Sequence, residues 1–138
     1  MALKTKNMFI NLHVKDVQKS TNFFKELGFD MNPQFSDDQA SCIILGENIF
    51  AMIMTEERFK EFTKKEVVDT EKEAEAIFCF TVDSRDEVDE IVNKALASGG
   101  KHYNEPIDHG FMYIWGFQDV DGHLWEVSFM DESGGNEV

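Results

Sequence analysis

One order of elements, strand, helix, strand, strand, can be read twice along this chain, and few folds accommodate it. Residues 9–14, FINLHV, alternate Ile10, Leu12 and Val14 with Phe9, Asn11 and His13, the period of two expected of a half-buried strand. Asp16 is placed to cap a helix over about 17–27, on which Val17, Ser20, Thr21, Phe24 and Leu27 form a stripe that Gly28 ends. The apolar runs 40–45 and 49–54, joined by Gly46-Glu47-Asn48, predict a hairpin, with room for another strand near 31–36. The order returns with IFCFTV at 77–82 and a capping box of Ser84 and Glu87 ahead of Val88, Ile91, Val92 and Ala95, with a stop at Gly99. Strands at 111–117 and 123–129 follow, joined by Asp119-Val120-Asp121-Gly122, with a short edge strand expected near 102–104. An offset of 68 aligns Val14 with Val82, and with it Phe9 with Ile77, Asn11 with Cys79 and His13 with Thr81. Two copies at this period are too few for a solenoid, so two motifs are expected to close their sheets on one shared core.

A length of 138 residues suits one domain over 1–138. It divides into a first module at about 5–54, a connector at about 55–76, a second module at about 77–130 and a tail at 131–138 that is expected to fray. In the connector charges dominate and Phe59, Phe62, Val67 and Val68 recur as apolar anchors. It reads as a helical or irregular solvated stretch, or as a mobile flap over a pocket. Lys and Arg number 13 against 27 Asp and Glu, a formal charge of −14, which argues against a nucleic-acid partner. No run approaches the roughly 18 apolar residues that cross a bilayer, so no membrane partner is expected. The first residues lack the apolar core and cleavage pattern of a secretory signal, and the chain reads as mature and cytoplasmic. Cys42 and Cys79, without CxxC spacing, fit a reducing compartment and argue against a disulfide framework or a Cys-rich zinc site.

Alternation in the last two strands separates two faces. Phe111, Tyr113, Trp115 and Phe117 share the face that calls for a helix, and Met112, Ile114, Gly116 and Gln118 share the other. Trp125, Val127 and Phe129 alternate with Leu124, Glu126 and Ser128, so Glu126 points away from the helix layer, toward whatever the concave side encloses. A carboxylate there needs a cation, a hydrogen-bond donor, a metal or water, because burial without a partner costs several kcal/mol. A ligand-binding role and a structural or water-filled role both satisfy that need.

The stretches FINLHVKDVQKSTNFFKELGF, IFCFTVDSRDEVDEIVNKALASGGK and GFQDVDGHLWEVSF resemble the vicinal-oxygen-chelate superfamily, the group of glyoxalase I, bleomycin-resistance proteins and extradiol dioxygenases. The resemblance covers nearly the whole chain, and its most specific part is D-x-D-G-H-x-W-E at 119–126. It implies an α+β fold of two tandem βαβββ modules forming an open, cup-shaped, barrel-like mixed sheet with helices outside, in a homodimer. In metal-dependent members it also implies four ligands, two per module. Here those positions fall on Phe9, on Met52 or Met54, on Ile77 and on Glu126, of which only Glu126 keeps a ligand-type side chain. Phenylalanine and isoleucine offer no lone pair, and thioether sulfur suits these divalent ions poorly. The expectation is therefore no metal ligand set and no cofactor.

What remains on the cleft face is a mostly apolar set with few polar anchors, the composition of a small-molecule site. The expected ligand-binding residues are Phe9, Asn11, His13, Met52, Ile77, Cys79, Thr81, Met112, Ile114 and Glu126. His13 stands where glutathione-using members place a basic substrate-binding residue, and an imidazole merely hydrogen-bonded at a barrel rim is the plainer alternative. Cys79 reads as an inert small hydrophobe rather than a nucleophile. His123 reads as structural, His109 as a rim residue within reach of a ligand, and His102 as background. The leading functional expectation is a protein that has lost the usual metal site and binds a small organic ligand. The alternatives are a lyase or dioxygenase holding Zn, Ni, Mn or Fe through relocated ligands such as His13, Glu126 and His109, or a metal-free isomerase with Glu126 and His13 as catalytic groups. A third possibility is that dimerisation or partner binding is itself the function, with the cavity vestigial.

Overall fold

A computed structural model of the protein describes residues 2–131. The tail read at 131–138 lies, from residue 132 onward, outside the described residues. The chain divides between Val67 and Val68 into two compact units. The first holds β1 (Met8–Val14), α1 (Val17–Glu26), β2 (Asp30–Asn32), β3 (Ala40–Ile44), β4 (Ile49–Thr55) and the short α2 (Glu56–Phe59). The second holds β5 (Ile77–Val82), α3 (Arg85–Ala97), β6 (Ile107–Asp108), β7 (Met112–Gln118) and β8 (Leu124–Met130). Each unit carries one four-stranded mixed sheet, in the orders β1-β4-β3-β2 and β5-β8-β7-β6. In both, the first and last strands pair in parallel and the remaining neighbours antiparallel. The fold is α+β, two βαβββ modules in tandem.

In the first unit α1 begins where Asp16 accepts a hydrogen bond from the Lys19 amide at 3.1 Å, and the chain leaves it through Gly28 at φ 110°. The helix packs on β3 and β4 and buries Val17, Ser20, Thr21, Phe23 and Phe24. Phe23, outside the stripe read from the sequence, is as buried as Phe24, and the two rings meet edge to face at 5.2 Å. Leu12, Val14, Ile43, Ala51 and Ile53 complete a mainly apolar core in which Ser20, Thr21 and Ser41 are the buried hydroxyls.

In the second unit Ser84 accepts from the Glu87 amide at 3.1 Å, and Glu87 accepts in return from the Asp83 amide at 3.2 Å, one residue before the cap itself. Helix α3 packs on β7 and β8. The aromatic face of these strands does meet it: the Tyr113 hydroxyl donates to Asp89 of α3 at 2.6 Å, and the Arg85 guanidinium lies 5.5 Å from the centre of the Phe129 ring. Burial, then the Asp89 hydrogen bond, pushes the Tyr113 phenol up to about 12. Unlike the first, this core contains a charged group. Asp119, 2% exposed, accepts from the amides of Asp121 and His123 at 2.9 and 3.0 Å and from the Trp125 indole at 3.0 Å. Burial pushes its carboxyl up from the usual range, against the pull of His123 and the Trp125 donor.

Two expectations need correction. The edge strand expected near 102–104 lies instead at Ile107–Asp108, because Asn104 spends its polar groups on β7: its side chain accepts from the Gly116 amide at 3.1 Å and its carbonyl from the Trp115 indole at 3.0 Å. In the connector, α2 is a single turn capped by Thr55, and Phe62 is 75% exposed rather than an anchor.

Candidate functional site

Strand registers show which residues of the two modules are counterparts. Asn11 stands opposite Met52 and Met52 opposite Cys42; Cys79 stands opposite Glu126 and Glu126 opposite Gly116. The repeat offset of 68 between first strands is thus matched by one of 74 between both hairpin strands, and Met52, not Met54, is the counterpart of Glu126. Cross-strand partners share a face. Phe9, Asn11, His13 and Met52 therefore share a face of the first sheet, and Ile77, Cys79, Thr81, Met112, Ile114 and Glu126 share a face of the second, with Ser128 opposite Thr81. These ten residues are divided between the units, with His13 in the first and Glu126 in the second.

On the first sheet this face is largely aromatic and thioether. The rings of Phe9 and Phe50 stack at 4.9 Å, and at the other end of β1 the His13 imidazole meets the Phe59 ring of α2 at 5.4 Å. The turn carrying Phe59 is held by Arg58, which donates to the Gln39 side chain at 3.0 Å and reaches Asp37 at 3.7 Å. His13 is thus packed beneath the start of the connector, a neighbour that no periodicity announces.

On the second sheet the face gathers polar groups around one carboxylate. Glu126, half-buried at the middle of β8, accepts a hydrogen bond at Oε2 from the Tyr103 hydroxyl at 2.8 Å. Tyr103 was not among the residues expected at a site. It comes from the irregular stretch before β6, pinned by Asn104, and its ring lies across Gly116. A Cβ at Gly116 would fall 2.7 Å from the Tyr103 ring and 2.6 Å from the Trp125 carbonyl oxygen, so only glycine fits. That glycine, alone among aromatic neighbours in β7 and opposite a carboxylate, is the sequence signal from which a close approach follows. Burial, reinforced by the Glu126 hydrogen bond and charge, pushes the Tyr103 phenol well above its ordinary value, so it stays a donor. Partial desolvation, then the Glu126 charge, raises the exposed Cys79 thiol, which keeps it protonated and a weak nucleophile near neutral pH.

The remaining histidines stand apart from this cluster in chemistry. The buried His123 ring bonds through Nδ1 to Glu75 at 3.0 Å, a structural strap reinforced where Thr70 donates to the Asp121 carbonyl. His109 lies 6.4 Å from the Phe111 ring, and His102 faces Glu105 at 3.5 Å. Among the described residues no three His, Cys, Asp or Glu side chains come together as a metal-binding group. The four positions to which the resemblance assigns metal ligands carry a phenyl ring, a thioether, an alkyl chain and one carboxylate that already holds a phenol. This donor set does not fit a divalent ion.

The sequence model of the Glyoxalase/Bleomycin resistance protein/Dioxygenase superfamily matches residues 8–127, and the chain belongs to that family. No curated protein matches it. Among solved structures, a hypothetical protein from S. aureus is 30% identical with a TM-score of 0.77, over 91% of this chain and 95% of that one. A glyoxalase/bleomycin resistance protein/dioxygenase family enzyme from Burkholderia phytofirmans is 15% identical with a TM-score of 0.73, over 88% and 96% of the two chains. A genomically encoded fosfomycin resistance protein from Listeria monocytogenes is 22% identical with a TM-score of 0.63, over 94% and 92%. At these two lower identities the likeness is one of fold. Among the described residues no helix is long and apolar enough to cross a membrane.

Proposed function

We propose that this chain is a metal-free member of its family that binds a small organic ligand on the sheet face bearing Glu126. The observation that carries this reading is the Tyr103–Glu126 hydrogen bond at 2.8 Å, an oriented polar pair on the sheet face that also carries Ile77, Met112 and Ile114. A few placed polar groups among apolar ones are what a small-molecule site needs to orient its guest. The phenol on one carboxylate oxygen and the missing donors at the other three family positions support binding without a metal. Two measurements test the reading. After incubation with Zn²⁺, Ni²⁺, Mn²⁺ or Fe²⁺, elemental mass spectrometry is expected to find far less than one ion per chain; one ion per chain would overturn the metal-free part. A thermal-shift screen of small organic compounds is expected to give hits that Glu126→Gln weakens, and a screen with none would overturn the ligand-binding part.

The same reading places the protein in the cytoplasm as a homodimer. The exposed apolar side chains Met8, Ile49, Ile77 and Ile107 favour a covering copy. Sedimentation of a single 15.9 kDa species at micromolar concentration would overturn the dimer.

A further inference from the structure

The ligand-binding reading leaves open what kind of molecule the second sheet selects, and the surroundings of Glu126 narrow it. One carboxylate oxygen, Oε2, accepts the hydrogen bond of the Tyr103 hydroxyl; Oε1 has no hydrogen-bond partner within the described residues of the second unit. No Lys, Arg or His of that unit pairs with this half-buried carboxylate. The residues sharing its face on β5, β7 and β8 include no Lys, Arg or His; Cys79 and Gly116 stand directly opposite it, with Thr81 and Ile114 one repeat along. A partly desolvated carboxylate without a counter-ion lacks the partner that such groups ordinarily have. Tyr103 holds it in one orientation and cannot neutralise it.

We infer that Glu126 is the anchor for a protonated amine carried on an apolar body, with Tyr103 as the positioning residue that fixes the carboxylate. An ammonium group brings both things Oε1 lacks, a donor and a positive charge, in one charge-assisted hydrogen bond. The hydrocarbon of the guest lies against Ile114, one side-chain repeat from Gly116 on β7, while Thr81 stands one repeat from Cys79 on β5 as a further hydroxyl partner. A ligand bearing a carboxylate or phosphate at the same point would meet Glu126 in repulsion and find no cation on this face. The chain's charge of −14 adds general attraction for cations but selects no position.

This inference rests on the ligand-binding reading, and its test separates the two. The probes are naphthylmethylamine, its neutral counterpart naphthylmethanol and its anionic counterpart naphthoate, titrated by calorimetry with backbone amide shifts followed by NMR. The amine is expected to bind roughly tenfold more tightly than the alcohol, the fold-change of one charge-assisted hydrogen bond, with shifts centred on Cys79, Gly116 and Glu126 and no binding of naphthoate. Glu126→Gln, which keeps the side-chain shape, should remove the preference for the amine over the alcohol, so that the two bind within about twofold of one another. Tyr103→Phe should shrink the same preference, a ratio that a change in folding alone would not move. Equal binding of amine and alcohol overturns the amine assignment and leaves the ligand-binding reading standing. A preference that survives Glu126→Gln also overturns it, by tracing the effect to the acidic surface at large. Binding of none of the three overturns the amine assignment, while the broader reading stands or falls on the compound screen.

Discussion

The two modules share one pairing geometry and differ in what they put on it. Their sheets have the same strand order, and the cross-strand trio Asn11–Met52–Cys42 of the first recurs as Cys79–Glu126–Gly116 in the second. On the first sheet the trio is two uncharged side chains about a thioether; on the second it is a carboxylate with a thiol on one side and, on the other, a glycine overlain by a phenol. The cores differ likewise: beneath α1 the buried polar side chains among the described residues are hydroxyls alone, whereas the second has a buried aspartate hub at the 119–125 turn. Backbone register is set by hydrogen bonds common to every residue type, so it persists while the side chains on a face change freely. The polar groups of these two faces are gathered on the second sheet, around Glu126.

Experiments on stability should sharpen that contrast. Phe24→Ala, at 1% exposed, should cost the first unit about 3–5 kcal/mol in urea unfolding, with little dependence on pH because no titrating group is involved. Asp119→Ala leaves two amides and an indole without their acceptor and should cost the second unit about 3 kcal/mol. A loss below about 1 kcal/mol would mean that the polar hub is not what holds this core. Gly116→Ala should cost about 2 kcal/mol and move the Tyr103 ring, visible as loss of its contact with Glu126 in a structure of the variant.

Finer effects follow from charge. Glu126→Gln removes a negative neighbour that raises the Cys79 thiol, so iodoacetamide at pH near 8 should alkylate Cys79 about two- to fivefold faster, with the fully buried Cys42 as internal control. An unchanged rate would mean the carboxylate does not act on the thiol. The smallest effect concerns Asp108, whose carboxyl the Gly110 amide, then Arg85, holds below its ordinary 3.8. A depressed carboxyl stabilises the folded chain above its unfolded value, and that contribution is lost as pH falls through the folded one. Asp108→Asn should therefore flatten the fall of Tm below pH of about 4; an identical slope would remove Asp108 from the acid response.

Much of the fold was legible in the sequence because it is written in local, repeated terms. Asp16, Gly28, Ser84 and Gly99 mark helix ends by chemistry that acts over a few residues, and strand alternation placed Glu126 opposite the helix layer. Partners fixed by tertiary approach were not legible. Tyr103 sits in a stretch without periodicity, and only its landing on Gly116 brings it to Glu126. Phe59 covers His13 from a charged connector whose sequence favours no one neighbour. Phe62 looked like Phe59 by composition, yet packing took one and left the other in solvent. Of the metal positions, the sequence supplied the residue types and, through the offset of 74 from Glu126, favoured Met52 over Met54, with which the registers agree.

Both tryptophans of the chain, Trp115 and Trp125, lie in the second module, the latter 1% exposed with its indole bound to Asp119. Intrinsic emission is therefore a spectroscopic window on one half of the molecule. It follows the melting of the Asp119 hub and is silent on the phenylalanine core of α1, whereas far-ultraviolet dichroism sees both. Comparing the two signals on one sample gives an unlabelled means of asking whether a duplicated chain unfolds as one body or as two.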